Sequence, residues 1–146
     1  MLYIHDLDRL NRIETPFYLY DIDLFKKTVD SLARVSGKYS MKVHYAVKAN
    51  VEDRMLSMLS AAGFGADCVT GNEVVCAFEH GFDPSEIFLA GVGKTDKEIA
   101  TALETGIGCL NVESIPEMEA IEAVASRMGV VAPVAFRVNP DIDPHT

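Results

Sequence analysis

The sequence predicts an α/β fold: a partial (β/α)8 TIM barrel of about five βα units. Three observations carry this. Five apolar, strand-like runs begin near residues 43, 64, 86, 108 and 131, an even pitch of about 22 residues. An amphipathic helix pattern fills each gap, which means successive βα units and a parallel sheet. A doubly wound sheet would carry a glycine-rich phosphate turn after its first strand; here that turn reads Lys48-Ala49-Asn50-Val51, without glycine. Finally, five units carry the chain from about residue 43 to its end at residue 146, whereas a closed barrel needs about 250. The sheet is therefore expected to stop short of closure with two open edges, as the first part of a longer protein.

The elements follow in order. Pro16–Tyr20 reads as a strand, and Asp21 caps a helix whose apolar face is Phe25, Val29, Leu32 and Ala33, ended by Gly37. Val43–Val47 is the first strand of the regular series. Asn50 caps a helix bearing Met55, Leu59 and Ala62, closed by Gly63. Phe64–Val69 is the next strand, and a helix through Val74, Val75 and Phe78 runs to Gly81. Ile87–Ala90 precedes a capping box, Thr95-Asp96-Lys97-Glu98, and a helix stopped by Gly106. Cys109–Val112 leads to a second box, Ser114-Ile115-Pro116-Glu117, and a helix stopped by Gly129. Val131–Val138 is the last strand.

Composition narrows the function. Hydrophobic residues make up 49% and charged residues 24%, the balance of an ordinary globular protein. No apolar run approaches the ~18 residues of a membrane helix. The polar, acidic start Met1–Asp8 lacks a signal-peptide pattern, so a cytoplasmic protein is expected. The net charge is −9, which repels a phosphodiester backbone and argues against nucleic acid. A small phosphorylated ligand is not excluded by it. Cys68, Cys76 and Cys109 form no CxxC pair; reduced, mostly buried thiols are expected, with no disulfide framework and no metal site.

Four residues stand out for chemistry. Lys48, in His44-Tyr45-Ala46-Val47-Lys48-Ala49-Asn50, lies at the carboxyl end of a buried strand, where barrel active sites form. It either reaches past the strand to solvent or stays desolvated, with a lowered pKa and a neutral amine able to condense with an aldehyde. Asp67 is a carboxylate within an apolar strand, near its end, and needs a cationic partner. Arg137, in Phe136-Arg137-Val138-Asn139-Pro140, is a charge in a further strand. It either pairs with Asp67 or Glu73, or holds a phosphate or a ring. Glu73 doubles as a first-turn helix carboxylate. His44 reads as an ordinary strand histidine, His5 and His80 as surface residues, and Lys94 as part of a βα loop too short for a P-loop.

Taken together, Thr15–Asp21, Tyr45–Asn50, Gly65–Glu73 and Phe136–Asp141 resemble the pyridoxal-phosphate-dependent decarboxylases of the alanine-racemase-type barrel fold. Asn111-Val112-Glu113-Ser114 and the ending Asn139–Thr146 resemble the branch acting on meso-diaminopimelate more than those acting on ornithine or arginine. The resemblance implies pyridoxal 5'-phosphate as cofactor, held covalently by Lys48, with Asp67 and Arg137 near its ring and Glu73 close by. It implies decarboxylation of an amino acid: meso-diaminopimelate to L-lysine, or alternatively ornithine, arginine or carboxynorspermidine. A non-catalytic cofactor-binding relative is the other alternative. Residues 1–20 would give a strand to a separate β-domain, and 21–146 the incomplete cofactor-binding barrel. The family's phosphate loop, ring-nitrogen carboxylate and substrate-binding residues come later in its chains. The piece alone is thus expected to be inactive, and the full-length enzyme to be a homodimer.

Overall fold

The computed structural model describes residues 9–138 and Pro140. His5, Asn139 and the ending from Asp141 to Thr146 lie outside the described residues. The chain forms two compact units that divide between Met41 and Lys42.

The first unit holds helix α1 (Ile22–Lys38). Asp21 caps it as expected, its carboxylate accepting the Leu24 N–H at 2.9 Å. The helix runs through Gly37 rather than stopping there. The strand expected over Pro16–Tyr20 is not formed among the described residues. Strand hydrogen bonds need a neighbour, and among the described residues no strand pairs with this run. Its backbone lets the Tyr18 and Tyr20 rings stack at 6.4 Å, with Tyr18 almost fully exposed.

The second unit carries the βα series: β1 (His44–Ala46), α2 (Asp53–Ala61), β2 (Gly65–Cys68), α3 (Gly71–Glu79), β3 (Ile87–Leu89), α4 (Asp96–Thr105), β4 (Cys109–Val112), α5 (Ile115–Met128) and β5 (Val134–Phe136). The five strands form one parallel sheet in chain order, β1-β2-β3-β4-β5. This is the open part-barrel that the even pitch implied.

Alternation along the strands separates the two faces. Ala66, Cys68, Ile87, Leu89, Leu110 and Val112 are buried, and with Val74, Ala77, Ile99, Ala102, Ile121 and Val124 of the helices they make the core. Ala46, Asp67, Phe88 and Cys109 stand level in the register on the other face. Near its lower end the His44 ring stacks on Phe88 at 4.3 Å. It lies against Gly65, where any Cβ would collide with the imidazole. His44 Nε2 is buried, 3.3 Å from Glu86 Oε2 but without hydrogen-bond alignment.

Three local expectations are corrected. The cap of α2 is Glu52, which accepts from the Met55 N–H, because Asn50 Oδ1 is already taken by the Glu52 N–H. Val75 and Phe78 of α3 are exposed, while Val74 and Ala77 face the core. His80 is not a free surface residue: its ring faces Cys76 O at 2.7 Å and Asp53 Oδ1 at 3.2 Å, tying the end of α3 to the start of α2.

Candidate active site

Lys48 sits in a single 3-10 turn, Val47–Ala49, directly beyond β1. Val47 is fully buried and anchors the turn, and the Tyr45 hydroxyl donates to Asn50 O at 3.1 Å on its far side. The Lys48 side chain is exposed, the solvent-reaching alternative left open by the sequence. Two strands' worth of register relate it to Asp67: Ala46, two residues before Lys48, pairs with Asp67 on β2. Asp67 is half-buried, and no hydrogen bond or ion pair to its carboxylate is found among the described residues.

Arg137 follows β5 on the same sheet face as Asp67. Asn111 pairs with Ala135, and Arg137 is the next residue of that alternation. Its guanidinium pairs with neither Asp67 nor Glu73 but lies 3.4 Å from Glu113 Oε1. Glu73 turns back to its own loop, where Oε2 accepts the Val69 N–H at 2.8 Å. Lys48, Asp67 and Arg137 therefore share the carboxyl end of the sheet, while Glu73 is committed at one oxygen to the main chain.

The carboxyl end is braced by a feature that motif reading missed. Glutamates in the first turns of three consecutive helices clasp their loops. Glu98 completes the expected capping box with Thr95 and also accepts the Gly71 N–H, at 3.2 Å, from the neighbouring unit. Glu117 accepts the Glu113 N–H at 2.7 Å, one residue earlier than the expected box would place it. Lys94, taken as a loop lysine, is only 3% exposed and donates to Gly91 O, Asn111 O and Glu117 Oε1, each at 2.7 Å. The one signal in the sequence was position: Lys94 follows β3 as Lys48 follows β1.

Electrostatics agree with these assignments. Hydrogen bonds from the Thr95 backbone and hydroxyl, then from Gly71, hold the Glu98 carboxyl below its usual 4.5. Its stabilisation is therefore complete above the ordinary glutamate range and lost as pH falls through the lower folded value. Glu98→Gln is expected to lower the urea midpoint near neutrality and to converge with the parent in acid; a constant gap across that range would contradict the linkage. Burial, with the Glu73 and Asp67 charges behind it, pushes the Cys68 thiol up to about 12. Cys68 thus stays protonated and is no nucleophile.

The donor set suits an aldehyde coenzyme in part. A solvent-reaching amine, a carboxylate without a partner among the described residues and an arginine lie at the carboxyl end of one sheet. Among the described residues no group of three or more histidine, cysteine, aspartate or glutamate side chains could hold a metal ion, and no helix is long and apolar enough to cross a membrane.

A family model described as the pyridoxal-binding domain of pyridoxal-dependent decarboxylases matches residues 23–146. The chain belongs to this family. Diaminopimelate decarboxylase of Bacteroides thetaiotaomicron is 46% identical over 144 residues, 98% of this decarboxylase-family chain and 37% of that protein. The crystal structure of Helicobacter pylori diaminopimelate decarboxylase complexed with L-lysine superposes with a TM-score of 0.83 at 38% identity, covering 96% of this chain and 36% of that one. The diaminopimelate decarboxylase structure from M. jannaschi gives 0.86 at 30% identity, with 94% and 33% covered. The chain spans about a third of the length of the curated relatives it matches.

Proposed function

We propose that this chain is the N-terminal part of an enzyme that decarboxylates meso-diaminopimelate to L-lysine with pyridoxal 5'-phosphate. The observation that carries this reading is the 46% identity to a diaminopimelate decarboxylase across 98% of the chain. Residues 1–20 belong to a separate β-domain and 21–146 to the cofactor-binding barrel. The complete enzyme is a homodimer, as the family resemblance implies, and we place it in the cytoplasm.

When bound, the cofactor supplies an electron sink for the carbanion left by departing CO2. Lys48, on its tethered turn, would hold it covalently through Nζ. Asp67 on β2 and Arg137 after β5 would face its ring; the Asp67 carboxylate, without a partner among the described residues, would be available for that contact. Glu73 supports the Asp67 strand end by holding the Val69 N–H.

Borohydride reduction in the presence of pyridoxal 5'-phosphate tests this directly. In a polypeptide of full family length carrying these residues, a peptide mass increment is expected at Lys48. An increment at another lysine, or none, would sink the assignment. The 146-residue chain by itself is expected to release no CO2 from diaminopimelate, and measurable turnover would contradict that. Turnover of ornithine, arginine or carboxynorspermidine in place of diaminopimelate would reassign the substrate.

A further inference from the structure

An ammonium has three protons to donate, and Lys94 places all three on acceptors from three segments: Gly91 O after β3, Asn111 O in β4 and Glu117 Oε1 in α5. The pair is desolvated, with side chains 3% and 8% exposed. Burying two charges is costly unless every bond is made, so this loop position is tightly specified.

The pair's second oxygen carries the effect onward. Glu117 Oε2 accepts the Glu113 N–H at 2.7 Å. The carbonyl of that same peptide, Val112 O, accepts the Arg137 N–H at 2.9 Å. One peptide plane is thus held by Glu117 on one side and holds Arg137 on the other. The Glu113 side chain adds a 3.4 Å contact to the Arg137 guanidinium.

We propose that Lys94 is a positioning residue for Arg137. Through Glu117 and the Val112–Glu113 peptide it sets where β5 delivers that guanidinium at the carboxyl end of the sheet. Lys94 itself has no donor left for a ligand. The inference rests on the reading of Arg137 as a cofactor-side residue, but its link can be measured without cofactor.

The test uses a polypeptide of full family length carrying these residues, with Lys94→Met, Arg137→Ala and the double variant. Glu117→Gln, which keeps the side-chain shape and removes the charge, takes the place of Lys94→Met if that variant does not fold. In the cofactor-free protein, amide exchange at Arg137 is expected to quicken about tenfold in Lys94→Met, with β2 amides unchanged. Unchanged exchange at Arg137, or equal acceleration in β2, overturns the inference. Titration with pyridoxal 5'-phosphate is the second readout. Each single variant is expected to bind about tenfold more weakly, and the double variant no more weakly than the worse single. Losses that multiply overturn the inference, because Lys94 would then act elsewhere. A parent that binds no pyridoxal 5'-phosphate overturns the proposed function, and the exchange data still decide the link.

Discussion

In a polypeptide of full family length carrying these residues, Lys48→Ala is expected to abolish both the borohydride-stable adduct and all decarboxylation, while leaving the fold intact. The side chain is exposed, so its truncation removes no core packing. Its turn is held by Val47 and by Tyr45, neither of which involves the lysine amine. The loss should therefore appear in kcat and in cofactor retention, with an unchanged unfolding midpoint. A Lys48→Ala enzyme with undiminished CO2 release would refute the proposed role outright. Such a lysine does not need burial within this sheet to act. Covalent catalysis asks for an amine held near the reacting carbon and neutral at the moment of attack.

Gly108→Ala is the stability counterpart. The Gly108 N–H donates to both Pro84 O at 2.9 Å and Ile87 O at 3.0 Å, drawing the start of β4 against the turn before β3. A Cβ there would collide with Ser85 O and lie 2.7 Å from Ser85 C and 3.1 Å from Phe88 Cε1. Two of these atoms are backbone, so rotamer changes cannot relieve the clash. The turn must move, which costs roughly 1–3 kcal/mol for a tightly packed site. Equilibrium urea unfolding reads it as a lower midpoint with the slope retained, and a parental midpoint would contradict the close approach.

Much of this architecture was legible in the residues because it is local. Thr95 and Ser114 cap their helices where the spacing put them, and Gly106 and Gly129 end those helices in left-handed conformation. The even strand pitch, with an amphipathic helix pattern in each gap, identified the parallel sheet of successive βα units. Pro16–Tyr20 pairs with no described strand for the opposite reason. Aromatic content favours extended backbone, but a strand exists only with a neighbour, and that depends on other chain segments. Asn50 was a plausible cap whose oxygen proved to be occupied two residues on.

The candidate site divides in the same way. Lys48, Asp67 and Arg137 could be singled out because charges at strand ends are conspicuous against apolar surroundings. Lys94 could not, since its three acceptors lie at residues 91, 111 and 117 and converge only once β3, β4 and α5 are assembled. The preference of Arg137 for Glu113 over Asp67 was equally hidden, because it is decided by which strand lies beside β5.

Strand order in the sheet repeats chain order, and this bears on how the molecule is made. During translation each new strand finds its partner in the segment finished about 22 residues earlier. Within the described sheet β2 to β5 each join an edge already formed, while the far edge of β1 stays open. The Glu98–Gly71 and Lys94–Asn111 bonds obey the same rule, so each unit locks onto its predecessor as it emerges. The near-constant separation keeps the entropy of each closure alike, and assembly proceeds vectorially, one βα unit at a time, in pace with synthesis.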